Sequence, residues 1–154
     1  VAMTADGQVM PVKRVLAANK TDDVAILEVA GKNLKPLPIA TDRIAVGTPI
    51  AVVSHPDQRF FTSTNGVVSR YQKVRGKDDV SEAMTITADF ARGSSGAPVL
   101  NEKGEVVGVV RSTRSIYYHV ENGEQKNLQM VFKTCAPSAS VLRLIASKER
   151  EPDA

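Results

Sequence analysis

The chain is 154 residues long, 42% apolar and 24% charged, enough for one domain with a real core and too short for two independent ones. That balance excludes a disordered or fibrous chain, and no apolar run is long enough to cross a bilayer as a helix. Twenty basic and 17 acidic residues are interspersed, for a net charge of +3, with only three Tyr and four Phe; a nucleic-acid surface would want a concentrated basic face with stacking aromatics, so none is expected.

Residues 1–10 carry neither a basic n-region nor an apolar h-region, so no signal peptide is read there. Apolar, β-branched runs recur at short intervals with turn signals between them, which predicts an all-β barrel or sandwich. Asp6-Gly7 separates the runs 1–3 and 9–16 as a hairpin signal. A largely apolar strand over 24–29 follows, then a connector over 31–43 marked by Pro36 and Pro38. Further strands are expected at 49–54, 60–71, 84–88, 98–100, 106–112 and 128–133, with turns at Lys103-Gly104 and Asn122-Gly123. The period then changes. Pro137 suits a first helical position, and Val141, Leu142 and Ile145 share one face. A short C-terminal helix ending near Lys148 and a frayed polar tail over 149–154 complete the order. Because the chain opens within a strand, its true N-terminus is expected upstream of Val1.

Cys135 is the only cysteine, so no internal disulfide forms and the fold must stand on its core. Its neighbours Thr134 and Ala136-Pro137 supply no His/Asn setting for a catalytic thiol, so it reads as structural. One cysteine fits a cytoplasmic protein and an exported bacterial one alike.

The most informative stretch is Ala91-Arg92-Gly93-Ser94-Ser95-Gly96-Ala97-Pro98-Val99-Leu100. Acyl transfer needs a serine oxygen exposed on a tight loop and backbone N–H groups converging on the developing oxyanion. Gly93 lets the backbone turn so that its N–H can point where that of Ser95 points, and Gly96 removes a side chain that would crowd a substrate. Small residues at a turn are also, on their own, simply a turn.

The residues that follow decide more. Gly93-Ser94-Ser95-Gly96-Ala97-Pro98 resembles the Gly-Asp-Ser-Gly-Gly-Pro signature of chymotrypsin-like serine proteases, and more closely its bacterial HtrA-like form. Residues 99–112, with the Lys103-Gly104 turn and a Gly-Val-Val run, look like the two strands that follow that serine in the family. Thr21-Asp22-Asp23-Val24-Ala25-Ile26-Leu27 is similar to the segment whose aspartate orients the catalytic histidine. Val46-Gly47-Thr48-Pro49-Ile50 and Thr64-Asn65-Gly66-Val67-Val68-Ser69 sit where the family has its first second-barrel strands.

The resemblance covers about residues 1–146 and implies an all-β, chymotrypsin-like double β-barrel with a short C-terminal helix. Residues 1–35 would be the remainder of an incomplete first barrel, 36–148 the second barrel with its helix, and 149–154 a tail. It implies a serine endopeptidase working through an acyl-enzyme on Ser95, with Asp23 as the orienting carboxylate and Asp22 as its close rival. The N–H groups of Gly93 and Ser95 would hold the oxyanion. The partner is then a peptide or protein substrate, with no metal or other cofactor, and the setting a bacterial extracytoplasmic one.

The base is missing. The family order is His…Asp…Ser, and residues 1–22 contain no histidine. His55 would give the order Asp23–His55–Ser95 of subtilisins, but those are α/β proteins, and here Pro98 and a strand follow the serine. His119 follows the serine, yet no strand–turn–helix elbow surrounds Ser95; beside Tyr117-Tyr118 it reads as a hairpin surface residue. A histidine upstream of residue 1 is therefore expected, and this chain alone should turn over little or not at all.

Two departures bear on specificity and control. Ser94 replaces the family's frequent aspartate, so no activation by a freed N-terminal ammonium is expected. Asp89 lies six residues before Ser95, where trypsin-like members hold the acid that selects Lys or Arg; the alternative is a loop carboxylate satisfied by backbone N–H groups. Arg111, Ser112 and Thr113 should offer an edge to an extended substrate. A non-catalytic peptide-binding module that keeps the cleft is the alternative function, and a structural barrel with a coincidental serine loop the third.

Overall fold

The computed structural model describes residues 2–77 and 79–147. Asp6-Gly7 does lie in a hairpin turn: β1 (Ala2–Met3) pairs antiparallel with β2 (Val9–Met10), and Gly7 takes φ +85, which glycine adopts without strain. Pro11 then breaks the run expected over 9–16, since it has no N–H for a ladder. The chain restarts as β3 (Val12–Asn19), paired antiparallel with β4 (Val24–Val29). Both ribbons expose apolar side chains, Met3 and Val9 on one and Val12, Val15, Leu16 and Leu27 on the other. A lone two-stranded ribbon is marginal in water, so these faces are the part of the fold least supported by its own packing.

The second half closes on itself. Strands β5 (Pro49–Ser54), β6 (Thr62–Arg75), β7 (Val80–Ile86), β8 (Pro98–Leu100), β9 (Val106–Glu121) and β10 (Glu124–Pro137) form an antiparallel barrel in the order β10-β7-β6-β5-β8-β9. Closure pairs both edges of the barrel strands, although the pairing of β8 with β9 stops at Val109. Alternate residues point inward, as Ile50, Val52 and Ser54 do along β5. Val52, Val68, Met84, Val99 and Cys135 are fully buried at the centre; truncating Met84 to alanine there should cost about 2–5 kcal/mol. The connector over 31–43 runs to the barrel, where Ile39 bridges Val106 and Ala40 enters the core.

Four strands outrun their predicted limits. Strand β6 continues to Arg75 and β7 starts at Val80, while β9 and β10 extend to a hairpin tip at Asn122-Gly123. Both tip residues have positive φ, +51 and +80, as a two-residue type I′ turn requires. Beyond the barrel this hairpin has no buried face, so the alternation that marks a half-buried strand is lacking.

The helix differs in two details. Pro137 ends β10, cross-strand from Gly108, and α1 spans Ser138–Ser147. Its buried residues are Ser138, Ser140, Val141 and Leu144, while Ile145 is 52% exposed. The inward face is thus shifted one step from the Val141, Leu142 and Ile145 face expected. A buried carboxylate on the β3–β4 turn draws Ser140 and Arg143 towards itself and rotates the helix accordingly. Lys148 and the tail over 149–154 lie outside the described residues. Among the described residues no helix is long and apolar enough to cross a membrane.

Candidate active site

Loop 91–97 links β7 to β8 and is laced to itself and to β9. The N–H of Ser94 donates to Ala91 O (3.0 Å), that of Ala97 to Ser94 O (3.0 Å), and that of Gly96 to Val110 O (2.9 Å). Behind it, the short 3₁₀ turn Pro56–Gln58 packs close, with the Asp57 N–H donating to Arg92 O at 2.7 Å. Gly93 holds φ +99 at this contact, and a Cβ there would lie 2.6 Å from the His55 carbonyl oxygen. Only glycine combines that angle with that approach.

The loop gives its two serines opposite environments. Ser94 is buried, and its hydroxyl has no hydrogen-bond partner among the described residues. Ser95 is exposed, and its hydroxyl donates to the Arg111 carbonyl at 3.3 Å. Among the described residues the N–H groups of Gly93 and Ser95 donate to no protein acceptor. Two free donors beside an exposed hydroxyl are what an oxyanion site needs.

The two aspartates of the β3–β4 turn also part company. Asp22 is 3% exposed and accepts hydrogen bonds from Ser81 Oγ, from Ser140 Oγ at 2.8 Å and from Arg143 Nη2 at 2.7 Å. Burial pushes its carboxyl up, but the donors from Ser81, Arg143 and Ser140 together outweigh that and hold it below the usual aspartate value. Asp23 points outward, its side chain 63% exposed, with Oδ2 3.4 Å from Arg111 Nε. Asp23, Val24, Ile26, Ser95, Gly96 and Arg111 are among the residues lining one open cleft of ≈ 470 Å³. Asp23 and Ser95 therefore share a cleft that Asp22 does not enter.

Neither histidine lines that cleft. Nδ1 of His55 accepts the Phe61 N–H at 2.9 Å, and its ring meets the edges of Phe60 and Phe61. His119 is exposed on the β9–β10 hairpin, cross-strand from Lys126 and edge-on to Tyr118.

Asp89 lies apart from the cleft lining, and its partner is a cation in place of backbone N–H groups: Lys133 Nζ lies 2.7 Å from Oδ1. Lys133 is cross-strand from Thr113, and Thr134 from Ser112, so β10 occupies one edge of the 111–113 segment. Arg111 contributes both its carbonyl, to Ser95, and its guanidinium, to Asp23. Cys135 is wholly buried, which pushes its thiol up to about 12 despite a bond from the Arg111 N–H. It is not among the residues lining the cleft.

Sequence reasoning passed over Lys133, Ser81, Ser140 and Arg143. Ser140 and Arg143 sit three apart on one helix face, a spacing that could have suggested a shared acceptor. No local pattern marks Lys133 or Ser81, whose partners are tens of residues away in sequence.

The model of the trypsin-like peptidase domain matches residues 1–109. The chain belongs to that family of serine-protease domains. Among its relatives are serine protease Rv3671c of Mycobacterium tuberculosis, 30% identical over 103 residues, and a probable periplasmic DegP-like serine endoprotease of Ectopseudomonas mendocina, 34% identical over 99. Each match takes in 62% of this chain but only 26% and 20% of the relative, so the chain spans about a fifth to a quarter of the length of these curated relatives. Among solved structures, the Rv3671c protease in its inactive form superposes with TM-score 0.69 at 23% identity, covering 96% of this chain and 71% of that one. A serine endoprotease from Yersinia pestis gives 0.69 at 17%, covering 97% and 48%. At those identities the likeness carries the chymotrypsin-like fold alone.

Proposed function

We propose that the full-length protein is a serine endopeptidase in which Ser95 attacks the scissile carbonyl and Asp23 orients a histidine supplied from upstream of residue 1. The observation that carries this reading is the cleft that Ser95 and Asp23 line together. In it the histidine takes the Ser95 proton as the hydroxyl oxygen bonds to the carbonyl carbon. The N–H groups of Gly93 and Ser95 hold the oxyanion. The same imidazolium then protonates the leaving amine, and water releases the acyl group from Ser95. The exposed apolar faces of β3 and β4 suit cover by further strands of the same barrel, which would bring the histidine with them.

The substrate is an extended peptide laid along Arg111, Ser112 and Thr113, on the edge that β10 leaves free. A preference for Lys or Arg would require a free Asp89, and the Lys133 ammonium beside it argues against one. The periplasmic setting named for the DegP-like relatives supports an extracytoplasmic site for this protein too.

One observation favours a second reading, a peptide-binding module without turnover: Arg111 already answers Asp23, and no histidine among the described residues lines the cleft. A fluorophosphonate probe separates the two on the full-length protein. Labelling that disappears in Ser95→Ala supports the peptidase; a wild-type protein that binds peptide without labelling supports the module.

A further inference from the structure

Asp22 and Asp23 are adjacent, yet one faces the interior and the other the cleft. Between them the backbone enters the left-handed region, with Asp23 at φ +57. Outside glycine that region is uncommon, although Asp and Asn enter it more readily than other residues, and the surroundings decide whether it is held. The surroundings are explicit. The Asp22 carboxylate takes its donors from Ser81 on β7 and from Ser140 and Arg143 on α1, while its N–H donates to Asn19 Oδ1 at 2.8 Å. One and three residues further back, Thr21 and Asn19 donate to Asp79, in the loop between β6 and β7. Every one of these anchors except Asn19 belongs to the barrel or its helix. Strand β4 begins at Val24, and its first residues line the cleft beside Asp23.

We infer that Asp22 is a positioning residue: it clamps the β3–β4 turn to α1 and β7 and thereby fixes where the Asp23 carboxylate stands in the cleft. The inference rests on Asp23 being the orienting carboxylate. Charge-assisted donors are the strong ones. Removing any of them leaves a buried carboxylate short of partners, at a cost that drives the turn to rearrange. A displacement of about 1 Å in a catalytic group can cost up to about a hundredfold in rate. Helix α1 thus reaches the active site through Ser140 and Arg143, although neither touches a substrate.

The test uses the full-length protein with Ser140→Ala, Arg143→Met, Arg143→Lys and Asp22→Asn. Steady-state kinetics on a peptide substrate is measured beside thermal stability. Ser140→Ala and Arg143→Met should lower kcat by roughly tenfold with KM within about twofold, and Arg143→Lys should recover most of the loss. Hydrogen exchange at the Val24 and Ala25 amides should rise by about tenfold relative to β7 in the same variants, and it remains readable in Ser140→Ala if Asp22→Asn does not fold. An unchanged kcat with a lowered melting temperature would overturn the positioning role. So would unchanged exchange at Val24 and Ala25. A wild-type protein that neither labels at Ser95 nor turns over removes the catalytic reading itself. A labelled, active wild type with indifferent variants removes only the inference.

Discussion

Arg111 Nε stands 3.4 Å from Asp23 Oδ2, and the carbonyl of the same Arg111 accepts the Ser95 hydroxyl. One residue of β9 thus touches both groups proposed to act together. With Asp23 largely exposed, such a pair is worth about 0–1 kcal/mol, little enough for an arriving imidazole to displace. Replacing Arg111 by Met, which keeps the stem and the carbonyl, should change the unfolding free energy by no more than about 1 kcal/mol. Urea titration measures it, and a loss of several kcal/mol would show the pair to be a structural element.

Gly93 is the second point of test. Alanine there meets both φ +99 and the His55 carbonyl at 2.6 Å. Gly93→Ala should therefore displace the loop at a cost of roughly 1–3 kcal/mol and remove the N–H it offers an oxyanion. Loss of one such donor lowers kcat by about 10²–10³-fold. Retained activity in a folded Gly93→Ala protein would place the oxyanion donors elsewhere.

Stability against pH should carry the mark of Asp22. Its folded value lies below the unfolded one near 3.8, so its contribution is fully present above that unfolded value and is lost as pH falls through the folded value. The stability difference between wild type and Asp22→Asn should hold from pH 7 to about 5 and shrink below about 4. Denaturant melts at each pH give that difference, and one that stays constant down to pH 3 contradicts the assignment.

Lys133 should govern how Asp89 is read by a substrate. Its side chain is 15% exposed against 81% for Asp89, so the ammonium is the enclosed member of the pair. Removing it in Lys133→Met would free the carboxylate. The variant of the full-length protein should gain cleavage after Lys or Arg relative to wild type, by about tenfold in kcat/KM on a peptide library if about 1.4 kcal/mol is at stake. A wild type that already prefers Lys or Arg would show that the pair opens during catalysis.

Much of this was legible in the sequence, and for identifiable reasons. Strands β4, β5 and β8 keep their predicted limits because turn residues or a proline bound short apolar runs. The serine loop was legible because glycine spacing and Pro98 constrain what the backbone can do. The long β9–β10 hairpin was not, because both its faces meet water beyond the barrel. The helix face was misjudged for a different reason: apolar periodicity does not register Asp22, whose need for donors sets how α1 turns. Which of Asp22 and Asp23 faces the cleft was likewise closed to local reading, since the answer depends on Ser81, Ser140 and Arg143, about 60 to 120 residues away.

Ser95, in the cleft it shares with Asp23, is proposed as the nucleophile of the full-length protein. Mapping a fluorophosphonate adduct by peptide mass spectrometry tests it most directly. A single stoichiometric adduct is expected on Ser95, lost in Ser95→Ala and much slowed in Asp23→Ala, with the buried Ser94 untouched. An unlabelled folded protein, or an adduct on any other residue, would contradict it.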